Sequence, residues 1–334
     1  MFALPLNHIR AFLLISHMLL LSSVAIGQEA EAEDATPATT TPASAADDSV
    51  ENASNSGNDI AVTPATASDV PAAVAQTDAD DSQQAVAADL PALTLVAQPI
   101  YPQYLASSVY TPLADYLAAG LQRQIELITP KNFQAHWSAI KAGIKHDLAL
   151  EEAPLTDYRI RYQQYQPLVQ AAASQSYSLA VLDSSYEDRF DLVGRPVASL
   201  AAPSSAYLFL TRWYDNPLSQ PVIISTATSY EDAVQQLWGG EVEGVVLPAE
   251  LATDYPQFSF IVTSESMPGL AISAAPELAP ELVEQLQQLL LALNQAEYIA
   301  ILDELNVAAL EAADAERFNG YAEWIRSVSY TGFD

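Results

Sequence analysis

The chain has 334 residues, 42 acidic against 12 basic, no cysteine and four histidines, for a formal net charge of −30. That length supplies an ample core for one large domain or two small ones, and the one-signed charge excludes nucleic acid as a partner because its phosphates would be repelled. Without cysteine there is no disulfide, no thiolate nucleophile, no Cys metal site and no residue to carry a lipoprotein's acyl chain.

Residues 1–27 read as a secretory signal peptide. His8 and Arg10 give a weakly basic start, 11–26 an apolar run, and Ala25-Ile26-Gly27 a small-x-small cleavage site before Gln28. The run is short for a membrane span, which favours cleavage over an uncleaved N-terminal anchor. His8 and His17 lie in this leader, so the mature chain holds only His136 and His146, thin material for a metal site or a catalytic triad. Residues 28–91 are Ala, Thr, Ser, Pro and acids with no Lys or Arg. Low hydrophobicity and charge of one sign cannot offset the entropy of ordering, so this is a disordered acidic linker, spanning about 45 Å as a random coil. It serves either as a spacer from a membrane or partner, or as a solubilising pro-segment.

The folded part starts at Ala92. Residues 93–98 form an apolar strand and Pro99 to Pro102 a rigid loop. Thr111-Pro112 then opens an amphipathic helix through Leu121, with Thr as N-cap and Pro at the first helical position. A strand at 124–129, a helix at 132–142 stopped by Gly143, and a strand at 146–150 follow, then a short helix at 154–163 and strands at 168–173 and 176–182. Strand–helix alternation of this kind signals an α/β layer with right-handed crossovers. Residues 183–191 are polar and are expected to cross into a second lobe. That lobe carries a strand from Pro196 to Ala201, strands at 222–225, 244–247 and 258–263, and a helix at 230–238. Residues 276–294, 297–305 and 314–324 return to the first lobe as helices, the first with Leu278, Leu282, Leu286, Leu289 and Leu293 at core-packing spacing. The domain is 92–334, with lobe 1 at 92–183 plus 265–334 and lobe 2 at 184–264.

The stretch from Asp191 to Leu210 organises the chain. A turn at Val193-Gly194 leads into the strand from Pro196, and Pro203-Ser204-Ser205 opens a helix. Either serine can cap that helix, and its free first-turn amides favour an anion or polar group. Asp191-Leu192-Val193-Gly194-Arg195-Pro196-Val197-Ala198 with Pro203-Ser204-Ser205 resembles the D-L-x-G-K-x-V-A…P-x-S segment of periplasmic phosphate/phosphonate-type solute-binding proteins, of the type II periplasmic-binding-protein superfamily. Three more stretches agree in order. Gly143 to Ala149 resembles G-x-x-D-x-A; Ser229 to Val234 with Gly240-Glu241-Val242-Glu243-Gly244 resembles S-x-x-x-A-V…G-x-V-D-A; Thr263 to Gly269 resembles T-S-x-x-x-P-x.

The resemblance implies an α/β, two-lobed type II periplasmic-binding fold that closes by a hinge around a ligand at strand C-termini and helix N-termini. Ser204 and Ser205 would give hydroxyl and amide donors to a ligand oxygen, or merely cap the helix. Ala206 and Tyr207 stand where the family has further Ser/Thr, which removes hydroxyls and counts against a tetrahedral phosphonate. Tyr101 falls where the family sets an aromatic residue against its ligand, and Tyr158 near its G-P-x-x-Y. Glu151 and Glu152 end the third strand at the mouth, and Glu243 stands where the family often has Asp. Such carboxylates resemble the partners of a ligand ammonium in aminophosphonate binders. Only one of Glu151 and Glu152 can face the cleft. The ligand-binding set is therefore Tyr101, Glu152, Tyr158, Ser204, Ser205 and Glu243, with no cofactor, no metal and no catalytic residue. Absence of Cys, scarcity of His and lack of a G-x-S-x-G nucleophile motif argue against an enzyme. The resemblance implies a periplasmic or secreted protein delivering a small oxyanion or aminophosphonate-like ligand to an ABC permease. The alternative is a sensor or accessory protein on the same fold, held near a membrane partner.

Overall fold

Two mixed sheets, one of six strands and one of five, carry the fold in the computed structural model, which describes residues 90–329 apart from Asp215. These residues belong to one compact unit. The expected signal peptide, and the expected linker up to residue 89, lie outside the described residues.

The first sheet has the order β11-β4-β10-β3-β1-β2. Its strands are β1 (Leu93–Ala97), β2 (Ile125–Ile128), β3 (Leu148–Glu151), β4 (Gln166–Ala171), β10 (Ala271–Ala274) and β11 (Leu310–Ala312). β1 pairs in parallel with β2 and β3, whereas β10 runs antiparallel between β3 and β4. Helices α1 (Gln103–Leu121), α2 (Phe133–Lys141) and α3 (Ala153–Gln163) connect these strands. Leu95, Leu113, Leu117, Leu148, Leu168, Leu286 and Leu290 fill the core between them, all at most 2 % exposed. The second sheet, β7-β6-β8-β5-β9, contains β5 (Tyr177–Val181), β6 (Pro196–Leu200), β7 (Val222–Ala227), β8 (Gly244–Pro248) and β9 (Ser259–Thr263). Around it lie α4 (Ser205–Trp213), α5 (Tyr230–Trp238) and the single turn α6 (Ala249–Ala252). Three more helices, α7 (Pro280–Ala292), α8 (Ile299–Glu304) and α9 (Ala322–Ser329), complete the chain. Among the described residues, no helix is long and apolar enough to cross a membrane.

Several elements differ from expectation. Helix α1 begins at Gln103, so Pro112 sits inside it and Thr111 is no cap. An interior proline costs about 3 kcal/mol. Here the buried stripe of Ala106, Val109, Tyr110, Leu113 and Leu117 runs straight through it and outweighs that cost, while the carbonyl it leaves free belongs to the exposed Ser108. Helix α7 starts at Pro280 rather than Pro276, with proline in the first turn, where no amide is needed. β10 and β11 were not foreseen. Residues 314–324 divide into a short 3-10 turn, Ala315–Phe318, and the start of α9.

Sheet membership also moves the first crossing between lobes. β5 belongs to the second sheet, so the chain crosses at residues 172–176, not 183–191, and it returns at 264–270. The two crossings pair with each other: Gln175 N–H donates to the Met267 carbonyl at 2.9 Å and Met267 N–H to the Gln175 carbonyl at 2.8 Å. The paired segments thus form one junction between the lobes. Helix α9 binds both sides of it. Trp324 meets Phe209 of α4 edge-on at 5.3 Å, and the N–H groups of Gly320 and Ala322 donate to Asp157 of α3 at 3.0 and 2.8 Å.

Candidate functional site

Strand C-termini and the helices that follow them face each other across the two sheets. In the first lobe, Gln98 directly follows β1, and β3 ends at Glu151, followed by Glu152, the N-cap residue of α3. In the second, β6 leads to Ser204 and α4, and β7 to Ser229 and α5. Ser204 is the cap of α4. Its Oγ accepts the Tyr207 N–H at 3.2 Å and donates to the Leu200 carbonyl at 3.1 Å. Ser205 is thereby left as the first helical residue, with its hydroxyl free for another partner.

That partner is Glu152. Ser205 Oγ donates to Glu152 Oε2 at 2.6 Å, and the Tyr177 hydroxyl donates to Glu152 Oε1. Tyr177 and Tyr230 share a further hydrogen bond between their hydroxyls at 3.1 Å. On the first-lobe side, the Glu152 N–H donates to Gln98 Oε1 at 2.9 Å, and the Tyr110 hydroxyl donates to the Gln98 carbonyl at 3.1 Å. The group is dry: Gln98, Tyr177, Ser205 and Glu152 are each at most 2 % exposed. Gln98 Nε2 is buried without a hydrogen bond of ordinary geometry.

Burial dominates the electrostatics of this group. It pushes the Glu152 carboxyl above the usual range, against the opposing pull of Ser205, Tyr177, Gln98 and Gln175. All four of these hydrogen-bonding side chains are uncharged. Burial likewise holds the Tyr177 and Tyr230 hydroxyls far above 10, with the Glu152 charge adding to it. The arrangement is a carboxylate of one lobe held by hydroxyls of the other, at the place where an open α/β sheet binds ligands.

The structure brings Glu152, Ser204 and Ser205 together and leaves the other expected residues apart. Tyr101 packs edge-on against Tyr110 at 5.7 Å, one ring removed from Gln98, and burial pushes its hydroxyl up to about 12, with Glu304 adding to the shift. Tyr158 lies instead against Trp137 and Tyr162, at 5.0 and 4.8 Å between ring centres. It projects from a different turn of α3 than the one that starts at Glu152, so the position read from the motif does not put it at the cleft. Glu243 precedes β8 and donates its N–H to the Pro196 carbonyl, at the start of β6. Ser205 lies beyond the other end of that strand. Glu243 accepts from Tyr186 and pairs with Arg195 at 3.3 Å, a surface contact at the opposite end of these strands from Ser205.

Glu151 turns away from the cleft, as strand alternation requires of one of the two acids. Arg159 grips its carboxylate through Nε and Nη2, at 2.8 and 2.7 Å, and His136 adds a contact at 2.9 Å. Arg161 pairs with Asp157 at 3.0 Å. Three residues of this hydrogen-bonded group, Gln98, Tyr177 and Tyr230, are not among those expected from the sequence. A polar side chain directly after the apolar strand 93–97 is a usable sign for Gln98. Tyr230 follows a capping serine at the head of a helix, the same place in its strand–helix unit as Ser205. Tyr177 carries no such mark. Among the described residues, no cluster of acidic residues and histidines is arranged to hold a metal ion.

Residues 95–318 match the family described as ABC transporter, phosphonate, periplasmic substrate-binding protein. Among solved structures, PhnD1 of Prochlorococcus marinus in complex with methylphosphonate superposes with a TM-score of 0.62 at 12 % identity, over 71 % of this chain and 98 % of that one. A binding protein component of an ABC phosphonate transporter from Pseudomonas aeruginosa gives 0.58 at 14 % identity, over 72 % and 86 %. A Xanthomonas citri protein bound to ATP gives 0.57 at 16 % identity, over 72 % and 98 %. At these identities the likeness is one of fold. No curated protein matches the chain.

Proposed function

Because the chain belongs to the periplasmic substrate-binding proteins of phosphonate ABC transporters, we propose that it captures a small phosphonate-type oxyanion between its lobes at the Ser204–Ser205 helix start. The observation that carries this reading is the convergence of the Ser205 and Tyr177 hydroxyls on two oxygens of one carboxyl group. A ligand oxyanion presents the same acceptors. Ser205 and Tyr177 supply hydroxyl donors, the first-turn amides of α4 supply more, and Tyr230 backs Tyr177. Glu152 beside them favours a solute that also carries an ammonium group, so an aminophosphonate is preferred over a simple dianion. Closure follows from bending the paired crossings 172–176 and 264–270. The family is one of substrate-binding proteins rather than enzymes; we assign this chain no catalytic step. Export by the segment 1–27, tethering through 28–91, and delivery to an ABC permease complete the reading.

Calorimetric melting of the exported domain tests it, with methylphosphonate, 2-aminoethylphosphonate, phosphite, phosphate and ethanolamine as probes. A true ligand at a hundred times its Kd adds about 2.7 kcal/mol of stability. The expected outcome is a shift with 2-aminoethylphosphonate larger than with methylphosphonate. A shift with ethanolamine alone would overturn the oxyanion assignment.

One observation favours a second reading, a sensor or accessory protein on the same fold: the donors of the site are already satisfied by the protein's own carboxylate. Failure of every phosphonate to shift the transition would select it.

A further inference from the structure

The hydroxyls assigned above to the solute are engaged by Glu152, and this bond crosses from one lobe to the other. Glu152 belongs to the first lobe through β3 and α3, Ser205 to the second through α4, and Tyr177 to the second through β5. We propose that Glu152 is a built-in occupant of the oxyanion seat: the lobes latch shut on this carboxylate without solute, and a solute anion enters by displacing it, so that residue 152 decides which charges the site accepts. The inference rests on the seat assignment of the proposed function.

Three features support it. Each carboxylate oxygen takes one hydroxyl from the second lobe, as two oxygens of a tetrahedral anion would, so a single carboxylate satisfies the closed state. The side chains that act on Glu152 or feel its charge are neutral: Ser205 from α4, Tyr177 from β5, Tyr230 from α5, Tyr110 from α1, and the amides of Gln98 and Gln175. Its neighbour Glu151 is neutralised separately by Arg159. A second anion beside an ionised Glu152 would therefore meet repulsion in a buried setting where the carboxylate's own hydrogen-bond partners are uncharged. Finally, the Gln98 side chain lies against the Glu152 carboxyl, yet its Nε2 makes no hydrogen bond of ordinary geometry, so this donor can be engaged more closely by an incoming oxyanion.

Solution scattering of the solute-free domain tests the latch. The wild type is expected to be compact. Glu152→Ala, and the double variant Ser205→Ala with Tyr177→Phe, are expected to expand and to show a larger radius of gyration. The double variant keeps the comparison decisive if Glu152→Ala melts before measurement. Equal dimensions for wild type and variants would overturn the latch. Titration calorimetry reads the second consequence: Glu152→Gln is expected to bind methylphosphonate at least tenfold more tightly than wild type, and 2-aminoethylphosphonate with a smaller gain or a loss. Methylphosphonate binding that is unchanged or weaker in Glu152→Gln would overturn the displacement. If no phosphonate binds any form, the seat assignment fails, and scattering still decides the latch by itself.

Discussion

Glu151 and Glu152 are neighbours in the chain, each at most 2 % exposed, and their carboxylates serve opposite ends of the design. Glu151 is clamped by Arg159 and His136 inside the first lobe, whereas Glu152 reaches across to Ser205 and Tyr177 of the second. Burial pushes both carboxyls upward. For Glu151 the Arg159 charge and the hydrogen bonds override it and bring the group down to about 2. For Glu152 the opposing hydrogen bonds come from uncharged side chains, and the group stays raised. Two identical side chains thus titrate in opposite directions because one has a buried guanidinium and the other has only hydroxyls and amides.

Stability should follow these two shifts with opposite signs. The depressed Glu151 contributes stability above its unfolded pKa near 4.5 that is lost as pH falls through about 2, worth on the order of 3 kcal/mol. The raised Glu152 contributes below 4.5 and loses that contribution as pH rises through its folded pKa. Melting temperature measured from pH 2 to 8 is therefore expected to fall less on the alkaline side in Glu152→Gln than in wild type. Glu151→Gln should instead flatten the acid limb. Parallel curves for all three proteins would contradict the assignment.

Arg159 is fully buried and holds Glu151 by two hydrogen bonds. Arg159→Met leaves a buried carboxylate with only His136 beside it, and is expected to cost about 3–5 kcal/mol in urea unfolding. Combining it with Glu151→Leu should recover most of that loss, because no charge then remains to be solvated. A double variant as unstable as the single one would show that packing, not charge, is at stake.

The two serines are expected to separate cleanly. Ser204→Ala removes the cap of α4 and should lower stability by about 1 kcal/mol, with little direct effect on a bound solute. Ser205→Ala should leave the helix start intact and weaken 2-aminoethylphosphonate binding by about tenfold or more, the worth of one hydrogen bond to a charged group. Paired melting and calorimetry on both variants give the answer. Equal effects on affinity would remove Ser205 from the site.

Glu243→Ala and Tyr158→Phe serve as controls. Glu243 sits at the start of β6 with Arg195 and Tyr186, and Tyr158 among Trp137 and Tyr162. Affinity for the same probe is expected to stay within twofold of wild type for each, with stability changes of about 0–1 kcal/mol. A tenfold loss of affinity in either would return that residue to the ligand.

Much of this was legible in the chain itself, and the exceptions have physical causes. Strand–helix alternation announces the α/β lobes. Pro203-Ser204-Ser205 announces the start of α4, because proline and a capping hydroxyl have few other uses in that order. Glu152 is recognisable as an acid at a strand end. Tyr177 is not, being one of 16 tyrosines and defined only by what folds against it. β10 (Ala271-Ile272-Ser273-Ala274) and β11 (Leu310-Glu311-Ala312) are too short to show a period, and pairing partners far along the chain make them strands. Pro112 misleads because local propensity is weaker than the buried face of the helix around it. Glu243 misleads because a motif match gives a residue's place in the order, not the end of the sheet on which it lies.

The position of β10 between β3 and β4 has a bearing on how the protein is made. Residues 177–263 contribute every strand of the second sheet, so that sheet can complete as soon as they leave the ribosome. The first sheet cannot: its middle partner arrives at 271–274 and its edge at 310–312, long after β1 to β4 have emerged. Until then β3 and β4 expose unpaired edges. A partly made chain of this protein can thus hold a complete second sheet beside a first sheet still missing its middle and one edge.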